Sequence, residues 1–311
     1  MRKGKGDILV EKVINKEKQV MLRKKMIERS AKIMMDEEGK ITTEKRFVVP
    51  EGYTVVDESM NGVPAEHLIP DQLNTDIVVL QFHGGAYVVP FLDLYRHTAV
   101  FLSDNAGGAE VYSIDYRIPP KGVFPVALED GVAAYKYLLE KGIDPDKIVL
   151  EGDSAGGNLI FATALYLRDH NMPLPKLMIA LSPWTNLEYN TPSRSENADI
   201  DFVLGNPSMA VDKKELKVSQ YANGHDLRDP YLSPYFADFH GFRNVLIQVG
   251  SYEILLDDSV DVAKKLEEAG ANVKLSVYDE MFHTFQNVVP DLEESKQAWE
   301  EIRQVISDTF K

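Results

Sequence analysis

The 311-residue sequence contains no cysteine. Disulfide bonds, cysteine-ligated zinc and a cysteine nucleophile are therefore excluded. No run of 18 consecutive apolar residues is present, so the sequence predicts no membrane-spanning helix. The basic start at residues 1–7 is followed by only a short apolar stretch, residues 8–10, where a secretory signal needs a much longer one. Together these absences predict a cytoplasmic protein.

The chain also has a deficit of positive charge. It carries 49 Asp and Glu against 34 Lys and Arg, a formal net charge of −15. Such a chain repels the phosphate backbone of nucleic acids, so no nucleic-acid partner is expected, and small neutral or cationic ligands are favoured. The apolar and charged fractions, 44% and 27%, are those of an ordinary globular protein.

The N-terminal region has the opposite charge. Residues 1–46 hold 14 Lys or Arg and 8 Asp or Glu, and apolar residues recur there every three or four positions between residues 8 and 35. This spacing predicts an amphipathic helix. A basic amphipathic helix can bind a membrane surface or a calmodulin-like partner. The stripe lacks bulky aromatic anchors, so we favour packing against the rest of the protein, as a helical arm over residues 1–45 that forms part of a cap.

After residue 42 the pattern becomes that of a sheet. Runs at 47–49, 53–56 and 65–69, separated by turn residues, predict an antiparallel entry. Apolar strands predicted at 77–82, 110–114, 147–150, 177–181, 245–249 and 273–278 then alternate with helices predicted at 95–105, 126–141, 155–168, 258–269 and 292–310. Apolar strands of this kind are buried on both faces, which predicts an α/β fold with a mostly parallel sheet and helices on both faces.

One connection is far longer than the others. Residues 182–244 separate two predicted strands and contain a helical pattern at 212–221. Because ligands of such sheets bind at the carboxyl ends of the strands, we interpret residues 188–225 as a cap insertion over that edge. The core is then divided into residues 46–187 and 226–311.

Residues 152–156 fit the pattern G-x-S-x-G, with Ser154 at its centre. A predicted strand precedes the pattern and a predicted helix follows it, the arrangement of a nucleophile elbow. The alternative is an ordinary turn or a serine that caps a helix. The two flanking elements favour the nucleophile.

Backbone donors for a reaction centre are predicted from a second segment. The strand at 77–82 ends in His83, Gly84, Gly85 and Ala86. Because glycines let the backbone approach a reacting group, we predict an oxyanion hole formed by the N–H groups of Gly84 and Gly85 with that of Ala155. His83 precedes these glycines and is interpreted as an organiser of the loop.

A serine nucleophile needs a histidine base and a carboxylate. Of the seven histidines, only His283 follows the last predicted strand and precedes the last helix, which is where the chain order serine, acid, histidine requires it. The candidate acids are Glu253, Asp257 and Asp258. The two aspartates open a predicted helix and are accounted for as its caps. Glu253 lies among apolar residues, where a lone charge is costly, so we predict that it is the acid.

These motifs resemble those of the hormone-sensitive-lipase-like (family IV) esterases of the α/β-hydrolase superfamily. The resemblance covers about residues 75–290. His83 to Ala86 match the family's H-G-G-G loop, and residues 152–157 match G-D-S-A-G-G. Asp115, Tyr116 and Arg117, followed by Pro119, match the start of D-Y-R-x-x-P, and His283 with Phe285 matches H-x-F. Two departures are Ala86 at the third glycine and Glu253 in the family's D-P-L-x-D motif. The first carboxylate of that motif is the catalytic one, which agrees with Glu253.

The resemblance implies an α/β-hydrolase fold with an eight-stranded sheet and a helical cap. It implies a carboxylesterase that cleaves a small ester through an acyl-enzyme, with no metal and no organic cofactor. Members often pair through the sheet edge, so a homodimer is a candidate assembly. Two alternatives are a catalytically silent ligand-binding protein on the same fold and a small amidase or peptidase.

The walls of the substrate pocket are predicted from apolar and aromatic residues near these motifs. Core packing is an equally good interpretation of each residue. The residues concerned are Tyr87, Phe91, Trp184, Leu204, Tyr252 and Phe285.

Overall fold

The computed structural model describes residues 15–206 and 219–311, and its centre is one eight-stranded sheet. The strands are β1 (Tyr53–Met60), β2 (Val63–Pro70), β3 (Val78–Phe82), β4 (Glu110–Ile114), β5 (Ile148–Asp153), β6 (Leu177–Leu181), β7 (Asn244–Gly250) and β8 (Asn272–Tyr278). Their order is β1-β2-β4-β3-β5-β6-β7-β8. The pairs β1–β2 and β2–β4 are antiparallel, and the other pairs are parallel. The predicted mostly parallel sheet with an antiparallel entry is confirmed.

Helices cover both faces of the sheet, as predicted. The helices in the described ranges are α1 (Lys16–Met34), α2 (Asp93–Asn105), α3 (Val126–Glu140), α4 (Ala155–Asp169), α5 (Ser193–Glu196), α6 (Ser219–Ala222), α7 (Leu256–Glu268), α8 (Phe285–Val288) and α9 (Glu293–Thr309). Side chains of a strand alternate between faces. In β3, Leu80 and Phe82 belong to the core cluster on the face covered by α3, α4 and α7, whereas Val79 belongs to the cluster on the face covered by α2 and α9.

The antiparallel entry differs in part from the prediction. Asn61 and Gly62 both have positive φ and form the tight turn between β1 and β2, as expected for an Asn-Gly pair. Residues 47–49, predicted as a strand, form none. Val48 is 82% exposed, while Phe47 is buried with its ring 5.0 Å from that of His97 on α2. Pro50 follows directly and has no N–H to donate to a sheet, which explains the wrong prediction.

The arm and the insertion meet on one side of the molecule. Leu22 of α1 is buried in a cluster with Phe202, Phe282 and Phe285. The Gln19 side-chain amide donates to the Ile200 carbonyl at 2.7 Å. The first part of the arm, residues 1–14, lies outside the described residues, as does most of the helix predicted at 212–221, of which 219–221 fall in α6. Among the helices described, none has both the length and the apolar character needed to cross a bilayer.

A buried carboxyl group lies in the middle of the sheet. Glu151 of β5 stands beside Gln81 of β3, whose side-chain oxygen accepts a hydrogen bond from Ser113. Within the described residues, neither carboxyl oxygen of Glu151 makes a hydrogen bond of good geometry, and the neighbouring Gln81 amide only partly offsets its burial. Burial, together with the nearby charge of Asp153, raises the pKa of Glu151 well above its usual value. In the folded protein this carboxyl group therefore keeps its proton to a higher pH than in the unfolded chain.

The protonated Glu151 predicts a pH-dependent stability. The unfolded chain releases this proton near pH 4, so the free energy of unfolding falls as the pH rises above about 4. Glu151→Gln removes this loss, so its gain in free energy of unfolding over the parent should be larger at about pH 8 than near pH 4. Chemical denaturation at both pH values measures the effect. Glu51→Gln, at an exposed turn, is the control, and an equal gain at both pH values would contradict the prediction.

Candidate active site

The nucleophile elbow is held in a strained backbone conformation. β5 ends at Asp153 and α4 begins at Ala155, and Ser154 between them has φ 53° and ψ −114°. A non-glycine residue rarely adopts this conformation, and it persists only where the surroundings impose it. Here the Ser154 N–H donates to the Leu181 carbonyl at 2.8 Å, and the Ser154 carbonyl accepts from the N–H groups of Asn158 and Trp184.

Two glycines make the elbow sterically possible. A β-carbon at Gly156 would lie 2.0 Å from the Phe82 carbonyl oxygen, and one at Gly152 would lie 2.5 Å from the Gly156 carbonyl carbon. Any side chain at either position would push β3, β5 and α4 apart. The small flanking residues of the motif thus allow the sheet and α4 to approach closely around Ser154.

Glu253 and His283 lie against each other at the carboxyl edge of the sheet. His283 Nδ1 is 2.8 Å from Glu253 Oε2, and both side chains are buried. Glu253 Oε1 accepts hydrogen bonds from Ser182 Oγ at 2.7 Å and from the Gly250 N–H at 2.6 Å. Three donors therefore satisfy a carboxylate that has no contact with water.

This environment changes the proton affinity of the imidazole. Burial by itself lowers the pKa of His283, because it disfavours the charged ring. The hydrogen bond and negative charge of Glu253, with the charges of Asp201 and Asp153, outweigh burial and raise the pKa of His283 above its ordinary value. A histidine held in this way is a stronger base and a more stable imidazolium.

Ser154 and His283 are connected through Ser182. Ser182 follows Leu181, which accepts the Ser154 N–H, and its own Oγ accepts the Thr284 N–H at 3.2 Å. In the described structure Ser154 Oγ makes no hydrogen bond to the His283 ring. Catalytic hydrogen bonds of this kind often form only when a substrate is bound.

Asp257 and Asp258 contact the insertion instead. Asp257 Oδ2 accepts the Ser193 N–H at 2.6 Å, and Asp258 pairs with Arg194 at 2.9 Å. Residue Leu255 caps α7, without a side-chain cap hydrogen bond. The two aspartates lie in the first turn of α7, as predicted, but the prediction that their side chains cap this helix is wrong. They fix the connection after β6 to the core.

The predicted oxyanion hole needs one correction. The Gly84 N–H donates to Asp153 Oδ1 at 3.0 Å, so it is not available to a substrate. The next N–H groups, those of Gly85 and Ala86, and that of Ala155, donate to no group in the described part of the chain. Ala86 has φ 54°, the left-handed conformation that explains why a glycine is usual at this position. The Ala86 N–H is the candidate donor that the sequence prediction did not include.

His83 organises this loop, as its position indicated. Its carbonyl accepts a hydrogen bond from Tyr116 Oη at 2.6 Å, and its ring stacks on the Tyr116 ring at 4.1 Å. His83 Nδ1 lies 2.7 Å from the Gly84 carbonyl. Burial lowers the pKa of His83 to about 4, so the ring is neutral at neutral pH.

The six predicted pocket residues fall in different surroundings. Tyr87 and Trp184 adjoin the elbow. Tyr87 Oη donates to the Asn158 side-chain oxygen, and the backbone N–H of Trp184 donates to the Ser154 carbonyl. Leu204 is partly buried beside the main core. Tyr221, which was not predicted, stacks on Tyr87 at 3.9 Å.

The other three pack elsewhere. Phe91 lies in a cluster with Tyr95, and Tyr252 Oη donates to Glu280. Phe285 is completely buried against Tyr278 in a core cluster, which fits the alternative of core packing. Within residues 15–206 and 219–311, no three His, Asp or Glu side chains converge where a metal ion could bind.

Known proteins share this sequence and architecture. A family model for the alpha/beta hydrolase fold matches residues 79–287. An acetyl-hydrolase of Streptomyces hygroscopicus is 38% identical over 222 residues, which cover 71% of this chain and 72% of that protein. An esterase of Acinetobacter venetianus is 32% identical over 241 residues, 78% of each chain.

A solved structure agrees with these sequence matches. The crystal structure of an esterase from the bacterial hormone-sensitive lipase (HSL) family superposes with a TM-score of 0.81 at 32% identity, over 96% of this chain and 100% of that one. The sheet order, the elbow and these likenesses lead to one assignment. The chain belongs to the α/β-hydrolase family, among its hormone-sensitive-lipase-like esterases.

Proposed function

We propose that the protein is a serine carboxylesterase that hydrolyses small esters of short- to medium-chain acids through an acyl-enzyme. The observation that carries this proposal is the strained Ser154 at the start of α4, at the same sheet edge as the buried Glu253–His283 pair. The names of the relatives, acetyl-hydrolase and esterase, support the reaction class. The cytoplasm and a homodimer stay our proposals for its compartment and assembly.

Acylation uses all three side chains. His283 Nε2 takes the proton of Ser154 Oγ as the oxygen attacks the ester carbonyl carbon. The resulting imidazolium is stabilised by Glu253, which accepts the proton on Nδ1 in a hydrogen bond. The N–H groups of Gly85, Ala86 and Ala155 are the donors we assign to the oxyanion, because the Gly84 N–H is bonded to Asp153.

Release of the alcohol and of the acid completes the cycle. His283 returns its proton to the departing alkoxide, which leaves as the alcohol. A water molecule then attacks the acyl group and gives one proton to His283, and the carboxylic acid leaves as Ser154 Oγ recovers that proton. The assembled Glu253–His283 pair argues for catalysis and against a silent binding protein. The name esterase among the relatives and solved structures supports ester over amide hydrolysis.

The first test is the nucleophile itself. Ser154→Ala should lower kcat by at least about three orders of magnitude, because only the oxyanion donors and binding contacts remain. A series of p-nitrophenyl esters from acetate to palmitate measures turnover and reveals the acyl preference. Ser59→Ala, at an exposed position on β1, is the matched control. Undiminished hydrolysis by a folded Ser154→Ala protein would refute the proposal.

The second test separates the candidate acids. Glu253→Gln should cut kcat by orders of magnitude through loss of the imidazolium partner. It should also lower the pKa of His283, which Glu253 raises, so the fall of kcat/KM at acidic pH should move to lower pH. Asp257→Asn keeps an oxygen for the Ser193 N–H and should cost about 1 kcal/mol of stability or less. If only Asp257→Asn abolished turnover, the two roles would have to be exchanged.

The third test concerns the cover of the site. We propose that the arm, residues 1–45, and the insertion, residues 188–225, form one cap that shapes the acyl site. Leu22→Ala removes the buried contact of α1 with Phe202 and should change the ratio of kcat/KM between short and long acyl chains. Val20→Ala, at a position 69% exposed on the same helix, should leave that ratio unchanged. Identical ratios in both variants would remove the arm from the cap.

A further inference from the structure

We propose that Ser193, Asn197 and Asp201 of the insertion position the backbone of Glu253 and so couple the cap to the catalytic base. We refer to these three side chains as the acid-loop clamp. The inference rests on the proposed function, because it assigns positioning residues for the same reaction.

The clamp holds the loop between β7 and α7, which carries Glu253 and which we call the acid loop, by its backbone. Asn197 Nδ2 donates to the Glu253 carbonyl at 2.7 Å and to the Ser251 carbonyl at 3.1 Å. Ser193 Oγ donates to the Ile254 carbonyl at 2.8 Å, and Asp201 Oδ2 accepts the Ile254 N–H at 2.9 Å. The peptide group that joins Glu253 to Ile254 is thus held at its carbonyl and at its N–H.

Asp201 also belongs to the fold of the insertion. Its Oδ1 accepts the N–H groups of Val203 and Leu204, both at 2.9 Å. The side chain is completely buried, and burying a charge is costly unless hydrogen bonds compensate it. Because the three donors come from two segments, any displacement of the insertion relative to the loop leaves part of this carboxylate without donors.

The same segment reaches the histidine and the arm. Phe202, next to Asp201, packs its ring 5.1 Å from that of Phe282, the neighbour of His283. The Ile200 carbonyl of the same segment accepts the hydrogen bond from the Gln19 side chain of α1. A displacement of α1 is therefore transmitted through this segment to both Glu253 and His283.

Two different effects on His283 follow from the clamp. The charges of three carboxylates raise the pKa of His283: Glu253 from the acid loop, Asp201 from the insertion and Asp153 from the elbow. Asp201 contributes charge as well as position, whereas Asn197 contributes position alone. The side-chain carboxylate of Glu253 is fixed by the sheet edge, through Ser182 and Gly250, and its backbone is fixed by the insertion.

The experiment compares Asp201→Asn and Asn197→Ala with Asp199→Asn. Asp199 lies in the same turn, is exposed and contacts Asn206, not the acid loop. For each folded variant kcat, KM and the pH profile are measured with a p-nitrophenyl ester. The pKa of His283 is measured separately by NMR titration of protein labelled with ¹³C in its histidine rings, with His283→Gln to assign the signal.

Both clamp variants should lower kcat by about ten- to a hundredfold with little change in KM, because a hydrogen bond that positions a charged group is lost. Asp201→Asn should also lower the pKa of His283 and move the acidic fall of kcat/KM to lower pH. Asn197→Ala should leave that pKa near the parent value, and Asp199→Asn should match the parent throughout. Ser193→Ala, a smaller change, replaces any variant that does not fold.

The clamp is refuted if folded Asp201→Asn and Asn197→Ala proteins keep the parent kcat. An Asp201→Asn protein that loses only thermal stability, with a His283 titration equal to that of Asp199→Asn, would likewise refute it and leave Asp201 a purely structural role. The titration does not depend on ester turnover. A parent protein without esterase activity would therefore refute the proposed function and still leave the effect of Asp201 on His283 measurable.

Discussion

The fold of the catalytic edge depends on one buried negative charge. The Glu253 carboxylate has no exposed surface, and such a charge is tolerated only where several donors converge on it. The donors come from the ends of β6, β7 and β8, as Ser182 Oγ, the Gly250 N–H and His283 Nδ1. Because these three strands are parallel neighbours, their carboxyl ends meet at one place. Satisfying the charge therefore also fixes the orientation of the histidine.

Ser154, the proposed nucleophile, is placed by backbone geometry on the neighbouring strands. The left-handed turn at Ser154 is held by hydrogen bonds to the end of β6 and by the close approach of β3 to Gly156. Asp153, one residue earlier, accepts the Gly84 N–H and so fixes the start of the loop that carries the oxyanion donors. One short segment, residues 152–157, thus sets the positions of the proposed nucleophile and of its proposed donors.

The parts of the site that follow from local sequence were predictable. A strand, a G-x-S-x-G turn and a helix are consecutive in the chain, and His283 was selected by chain order alone. What failed depends on partners distant in sequence. Nothing local shows that Asp153 takes the Gly84 N–H and leaves this role to Ala86, or that Asp257 binds Ser193 of the insertion. For the same reason the run at 47–49 was interpreted as a strand, although Phe47 packs on α2.

The central claim is that Ser154 becomes covalently acylated. Reaction of the protein with diethyl p-nitrophenyl phosphate, followed by intact-mass and peptide mass spectrometry, tests it most directly. The account predicts one diethylphosphoryl group per chain, located on Ser154, with release of an equal amount of p-nitrophenolate and parallel loss of esterase activity. A protein that stays unmodified while it hydrolyses esters, or that carries the group on another residue, would contradict the account.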